Sequence, residues 1–153
     1  MECRRHVLLK LAVAAFVALG LAGCATGPTK EVITTKEAPA AIGPYSQAIK
    51  FGNMLFLAGQ IPIDSKSNQL NTGFIEEQTT LVLENLKAVL AANGMALQDV
   101  VSTSVFLKDL NDFAEMNAVY GAYFKEKPPA RTTVQAARLP RYVLVEISAI
   151  AAK

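Results

Sequence analysis

A chain of 153 residues that is 52% hydrophobic and 18% charged has room for one globular domain. Its formal charge of +2 belongs to its first segment: residues 1–23 hold three of the 15 basic side chains and one of the 13 acidic ones, and beyond them the signs balance at 12 each. A neutral domain is a poor electrostatic match for nucleic acid. The only histidine, His6, and one of the two cysteines, Cys3, lie in the same segment, leaving Cys24 alone beyond it. Were residues 1–23 removed and Cys24 modified, that inventory would exclude Ser-His-Asp and Cys-His catalysis, disulfides and zinc sites of the usual type. Carboxylates, Arg, Tyr, hydroxyls and the backbone remain for chemistry.

Arg4, Arg5 and Lys10 precede an uncharged run from Leu11 to Ala22. A membrane helix needs roughly 18 or more apolar residues, so a basic start and a shorter run read as an export signal. The run ends in Leu21-Ala22-Gly23-Cys24, which resembles a lipobox, where the Cys thiol takes a diacylglycerol and becomes the new N-terminus. The plainer alternative is an ordinary secretory signal with a chance Cys. The lipobox reading divides the chain into a signal peptide (1–23), a lipidated Cys24 with a short tether (24–30) and one domain (31–153). It predicts an exported lipoprotein held to the membrane by its lipid alone, facing the periplasm. The non-acidic Ala25 points to the outer membrane in a Gram-negative host.

Within the domain, Glu31 to Thr35 contains the β-prone Val32-Ile33-Thr34-Thr35. Ala38 to Tyr45, with two prolines and a glycine, is loop. Ser46–Phe51 and Met54–Gln60 flank Gly52-Asn53 and read as a hairpin. Phe74 to Asn93 predicts a helix with Ile75, Val82, Leu86, Val89 and Leu90 on one face and Gly94 as its stop. Val100–Leu107 is strand-like. Asp112-Phe113-Ala114-Glu115 resembles a capping box opening a second helix, whose Phe113, Met116, Tyr120 and Phe124 line a core face. Pro128-Pro129 ends it, and Thr132–Ala136 and Leu144–Ala151 are two further strands. The order β-β-β-α-β-α-β-β predicts an α+β fold with two helices on one face of a single sheet. An uncovered apolar face would then favour oligomerisation.

Arg131, opening a strand after two prolines, either clamps a carboxylate bidentately or makes a surface or inter-subunit ion pair; spacing alone favours the ion pair. Glu146, inside Leu144-Val145-Glu146-Ile147, is either solvated or in a cavity, where lost hydration would raise its pKa toward that of a general base; pattern alone favours solvation. Tyr45 either walls a pocket or packs its loop, and Asn117 either bonds a neighbouring loop or sits on the surface.

Five stretches stand in one order: A-P-A-A-I-G-P-Y-S-Q from Ala38, A-G-Q-I-P from Ala58, V-F-L-K-D-L-N-D-F from Val105, P-A-R from Pro129 and V-E-I-S-A-I-A from Val145. In these the chain resembles the Rid (YjgF, reactive intermediate deaminase) family from Ala38 to Ala151. The resemblance implies a chorismate-mutase-like fold, one mixed sheet of about six strands under two helices, and a homotrimer with sites between subunits. It implies hydrolysis of 2-imino acids and their enamines, such as 2-aminoacrylate and 2-iminopropanoate, to 2-oxo acids and ammonia without a cofactor. Arg131 then binds the substrate carboxylate, Glu146 activates a water, and the Thr133 carbonyl shares that water. Tyr45, Gly59 and Ala58 line the pocket, and Asn117 shapes it. Thr133 stands where many active relatives carry Cys, and Ala58 where many carry Ser. The rival readings are an exported, non-catalytic trimer that binds small carboxylates or a protein partner, and an RNA-cleaving protein, which the neutral charge and missing histidine disfavour.

Overall fold

The computed structural model describes residues 27–153. The basic leader, its apolar run and Cys24, on which the export expectation rests, lie outside the described residues. Six strands form one mixed sheet: β1 Lys30–Ile33, β2 Ala48–Phe51, β3 Met54–Gln60, β4 Val100–Leu107, β5 Ala130–Gln135 and β6 Val145–Ala152. Their spatial order is β1-β2-β3-β6-β4-β5. Only β4 and β5 run parallel, joined through a helix; every other neighbouring pair is antiparallel. The two helices are α1, Ile75–Ala91, and α2, Phe113–Tyr123.

The helices cover one face. Val145, Ile147, Ala149 and Ala151 of β6 alternate with half-buried residues, and Val105 and Leu107 of β4 share their face. These side chains pack with Val82, Leu86, Val89 and Leu90 of α1 and with Met116 and Tyr120 of α2. Because a strand's side chains alternate, the other face carries Glu146, Ser148 and Ile150 with Phe106 and Phe56. Phe51, Phe56 and Val134 are exposed. Among the described residues this face has no covering layer.

The expected elements fall where the periodicities place them, with two departures. β1 stops at Ile33 because Thr35 takes side-chain partners in place of a ladder. Gln47 Oε1 accepts from the Thr35 N–H at 2.7 Å, and Gln47 Nε2 donates to the Thr35 carbonyl at 3.1 Å. The capping box at Asp112 does not form. Asp112 already lies in a single 3₁₀ turn, Leu110–Asp112, and its side chain caps nothing. Asp109 does the capping, accepting from the Asn111 N–H at 2.9 Å. The chain begins to coil one turn earlier than the motif implies. Positive φ at Gly52 in the hairpin and at Gly94 beyond α1 explains glycine at both turns.

Candidate functional site

Two groups of the expected residues come together, on different surfaces. The first lies at the irregular end of β3, where pairing with β6 shifts between Leu57 and Gln60. Ala58 and Gly59 sit in that shift. With Ile42, Tyr45, Ile61, Pro140 and Glu146 they line a cavity of about 300 Å³. Gly59 is needed there: a Cβ at this position would lie 2.9 Å from the Glu146 carboxyl carbon and closer still to Oε1. The carboxylate therefore rests directly on the strand. Loss of hydration by burial pushes the Glu146 pKa above its usual value. The cavity, one of the two positions open to Glu146 from its pattern, is where the structure puts it.

Tyr45 reaches this wall from the proline-rich loop. Its hydroxyl accepts from the Ile42 N–H at 3.2 Å, closing the I-G-P-Y turn on itself. Gln47, buried at 4% exposure, holds the same loop by donating to the carbonyls of Ala38 and Pro39 at 3.2 and 2.7 Å. The Gln47 carbonyl also accepts from Ala58 N–H at 3.0 Å. Gln47 thus ties the Tyr45 loop to the Ala58-Gly59 strand, a role its sequence context does not reveal. From α1, Asn85 donates to the carbonyls of Ile61 and Ile63, and Gln78 Oε1 accepts from the Leu144 N–H entering β6. These amides secure both walls beside Glu146.

The second group lies at the sheet edge made by β5. Arg131 pairs with Thr103 of β4, and Thr133 with Val105, so both side chains share the helix-covered face. The Arg131 guanidinium donates from Nη2 to Asn117 Oδ1 at 2.8 Å. It lies 4.6 Å from the Tyr120 ring centroid and 5.6 Å from that of Phe113. Tyr120, in turn, shares a 2.7 Å hydrogen bond between its hydroxyl and Thr103 Oγ1. Burial raises the Tyr120 pKa, against the lowering influences of the Thr103 bond and the Arg131 charge. The sequence reading placed Phe113 and Tyr120 in the core; Tyr120 is buried but Phe113 is exposed, and both flank Arg131. The spacing Phe113, Asn117, Tyr120, at i, i+4 and i+7, held that signal.

Thr133 offers its backbone. The Ala136 N–H donates to the Leu107 carbonyl at 2.9 Å, so even-numbered residues of β5 bond to β4. Alternation then leaves the carbonyls of Arg131 and Thr133 on the free edge. The Thr133 hydroxyl is buried without a hydrogen-bond partner among the described residues.

Glu146 and Arg131 do not meet within the chain. Glu146 pairs with Phe106, Phe106 with Val134, and Arg131 lies three residues before Val134. Two strand spacings across and three residues along separate their Cα atoms by roughly 14 Å, with side chains on opposite faces. A larger cavity of about 570 Å³ opens between the N-terminal ends of the helices. It is lined by Glu76, Asp112 and Glu115 and by no cationic side chain, which suits it poorly to a carboxylate ligand. Burial, followed by the charges of Asp109, Glu115 and Glu76, raises the Asp112 pKa.

One mixed sheet of six strands under two helices matches a recognised protein class. The model of the Endoribonuclease L-PSP family matches residues 35–153. A RutC family protein of Pyrococcus horikoshii is 60% identical over 124 residues, covering 81% of this chain and 98% of that protein. The 2-iminobutanoate/2-iminopropanoate deaminase of Escherichia coli is 46% identical over 126 residues, covering 80% and 98%. A solved structure from Yersinia pestis, described as a conserved Rid-family protein of unknown function, superposes with a TM-score of 0.79 at 45% identity, covering 82% and 100%. The chain belongs to the Rid/YjgF family, the one the Endoribonuclease L-PSP model describes.

Proposed function

We propose that this protein hydrolyses reactive 2-imino acids and their enamine tautomers to 2-oxo acids and ammonia. The active site is assembled between the protomers of a homotrimer, and the domain is carried outside the cytoplasm on a lipid at Cys24. The observation that carries this reading is the division of the site. An Arg131-Asn117 pair with the Thr133 carbonyl at an open edge, and a Glu146 carboxylate in an open cleft, are each half of a site and lie on different surfaces. Packing one protomer's edge against the next protomer's exposed sheet face joins the halves and covers that face. The named deaminase among the relatives favours the same chemistry.

The reaction follows from these groups. Arg131 binds the substrate carboxylate through its fork of donors. The imine carbon is already electrophilic, so what it needs is an oriented water. The Thr133 carbonyl accepts one hydrogen of that water, and Glu146 accepts the proton released as the oxygen attacks the C=N carbon. The imine, protonated on nitrogen, thereby becomes a neutral carbinolamine, whose nitrogen takes that proton back from the Glu146 carboxylic acid. The hydroxyl then gives its proton to the restored carboxylate as the C=O bond forms and ammonia leaves, and the ammonia carries that proton away as ammonium. The burial that raises the Glu146 pKa makes its carboxylate the stronger base for taking the water proton.

A direct test generates imines in place with an amino acid oxidase and follows oxo-acid release. The reading requires an acceleration over buffer that Glu146→Gln lowers about 10²–10⁴-fold. A wild type that binds a 2-oxo acid but does not accelerate hydrolysis would instead be a carboxylate-binding module. RNA cleavage is less favoured, since residues 24–153 carry 12 charges of each sign.

A further inference from the structure

We propose that Tyr120 is a positioning residue: its ring is the seat that holds the Arg131 guanidinium in carboxylate-binding orientation, and Thr103 holds the ring. This inference rests on the assignment of Arg131 as the carboxylate ligand and adds the residue through which α2 controls it.

An arginine at a sheet edge has a long side chain and many rotamers, so its affinity for a planar carboxylate depends on how much of that freedom is already removed. Among the described residues only one polar side chain, Asn117, holds Arg131, by a single bond to Nη2. One bond fixes a point and leaves the plane free to turn. The Tyr120 ring centroid, 4.6 Å from the guanidinium carbon, supplies the second restraint, and its negative face attracts the cation. Phe113, at 5.6 Å, stands further off.

The seat is itself fixed. Tyr120 is 4% exposed, its ring lies 4.6 Å from that of Phe124, and its hydroxyl bonds Thr103 Oγ1 at 2.7 Å. Thr103 is also the residue that β4 pairs with Arg131. The backbone that carries the arginine and the ring that receives its head are thus tied at one point in the sheet. Neither Tyr120 nor Thr103 has to touch substrate; they act through Arg131.

The test measures 2-oxobutanoate affinity by calorimetry on the assembled protein. The variants are Tyr120→Phe and the same ring carrying one, two and three fluorines. Fluorine drains negative charge from the ring face with little change of shape. Tyr120→Phe keeps the ring but loses the hydroxyl that Thr103 holds, so it should bind about 2- to 5-fold more weakly than wild type, and it is the reference for the fluorinated series. Affinity should then fall stepwise with fluorination, by about 3- to 10-fold at three fluorines, while Tm stays level across the series. In an Arg131→Ala background, kcat/KM for 2-iminobutanoate should not respond to fluorination, because the group the ring acts through is gone. Equal affinity across the series, losses that track Tm, or the same response with and without Arg131 would each overturn the seat. A wild type that neither binds 2-oxobutanoate nor hydrolyses imines refutes the assignment of Arg131 and the seat with it. One that does both but shows a flat series refutes the seat alone.

Discussion

Gly59→Ala isolates the claim that Glu146 acts from its place over β3. Gly59 is not among the positive-φ residues, so its backbone accepts an alanine without conformational strain. The new methyl carbon would lie 2.9 Å from the Glu146 carboxyl carbon and 3.1 Å from its Cγ, whereas ordinary carbon contacts begin near 3.5 Å. The carboxylate must therefore retreat by roughly 0.5–1 Å, and a displacement of that size at a reacting group can cost on the order of 10²-fold in rate. Only the flexible end of one side chain has to move, and alanine also reduces the freedom of the unfolded chain. Tm should thus stay within about 5 °C of wild type. The assay is kcat and KM for imine hydrolysis beside a thermal melt. A fall in kcat of about 10- to 100-fold is expected, with 2-oxo acid affinity changed little because the carboxylate ligand lies in the other half-site. Wild-type kcat in a folded Gly59→Ala protein would refute the placement of the base.

Arg131→Ala should cost on the order of 2–5 kcal/mol in 2-oxo acid binding. Arg131→Lys should recover little of it, as calorimetry would show, because an ammonium lacks the bidentate fork. The pKa of Glu146 is raised in the fold, so kcat/KM should fall as the pH drops through that raised value, and the pH-rate profile should lose this acid limb in Glu146→Gln. The same shift fixes a sign for stability: the folded state favours the protonated acid. Its contribution is full below the unfolded pKa and is lost as pH rises through the folded one, so Glu146→Gln should melt above wild type at neutral pH and lose that advantage in acid. Cys24→Ser should leave an unlipidated precursor that no longer fractionates with membranes in acylated form; a mature N-terminus mapped anywhere other than Cys24 would refute the lipobox.

The elements were legible because each rests on a local period. The apolar face of α1 and the alternation in β4 and β6 are short-range patterns that burial follows directly. The Glu146 environment was only half legible. Alternation puts it opposite Val145 and Ile147, but whether that face is wet depends on Gly59, Tyr45 and Pro140, which arrive from three other segments. The separation of Glu146 from Arg131 within the chain was expected from the family resemblance, which implied sites between subunits, but not from local pattern: β6 inserts between β3 and β4, and no local pattern announces a long-range pairing. Asp112 misled because a capping box requires extended backbone at its first residue, and the 3₁₀ turn before α2 has already removed it. Tyr120 read as core because an aromatic that packs inward and seats a cation at its rim has the same helical spacing as one that only packs, whereas Phe113, on the same spacing, lies exposed at the end of α2 where the core face runs out.

The most direct test of a site shared between protomers is to co-assemble Arg131→Ala and Glu146→Gln chains, each nearly inactive alone. If one protomer supplies Arg131 and its neighbour Glu146, random mixing at equal amounts makes about a quarter of the sites fully native, so about a quarter of wild-type turnover should return. Turnover no higher than the average of the two separate variants, in trimers shown to contain both chains, would contradict the shared site.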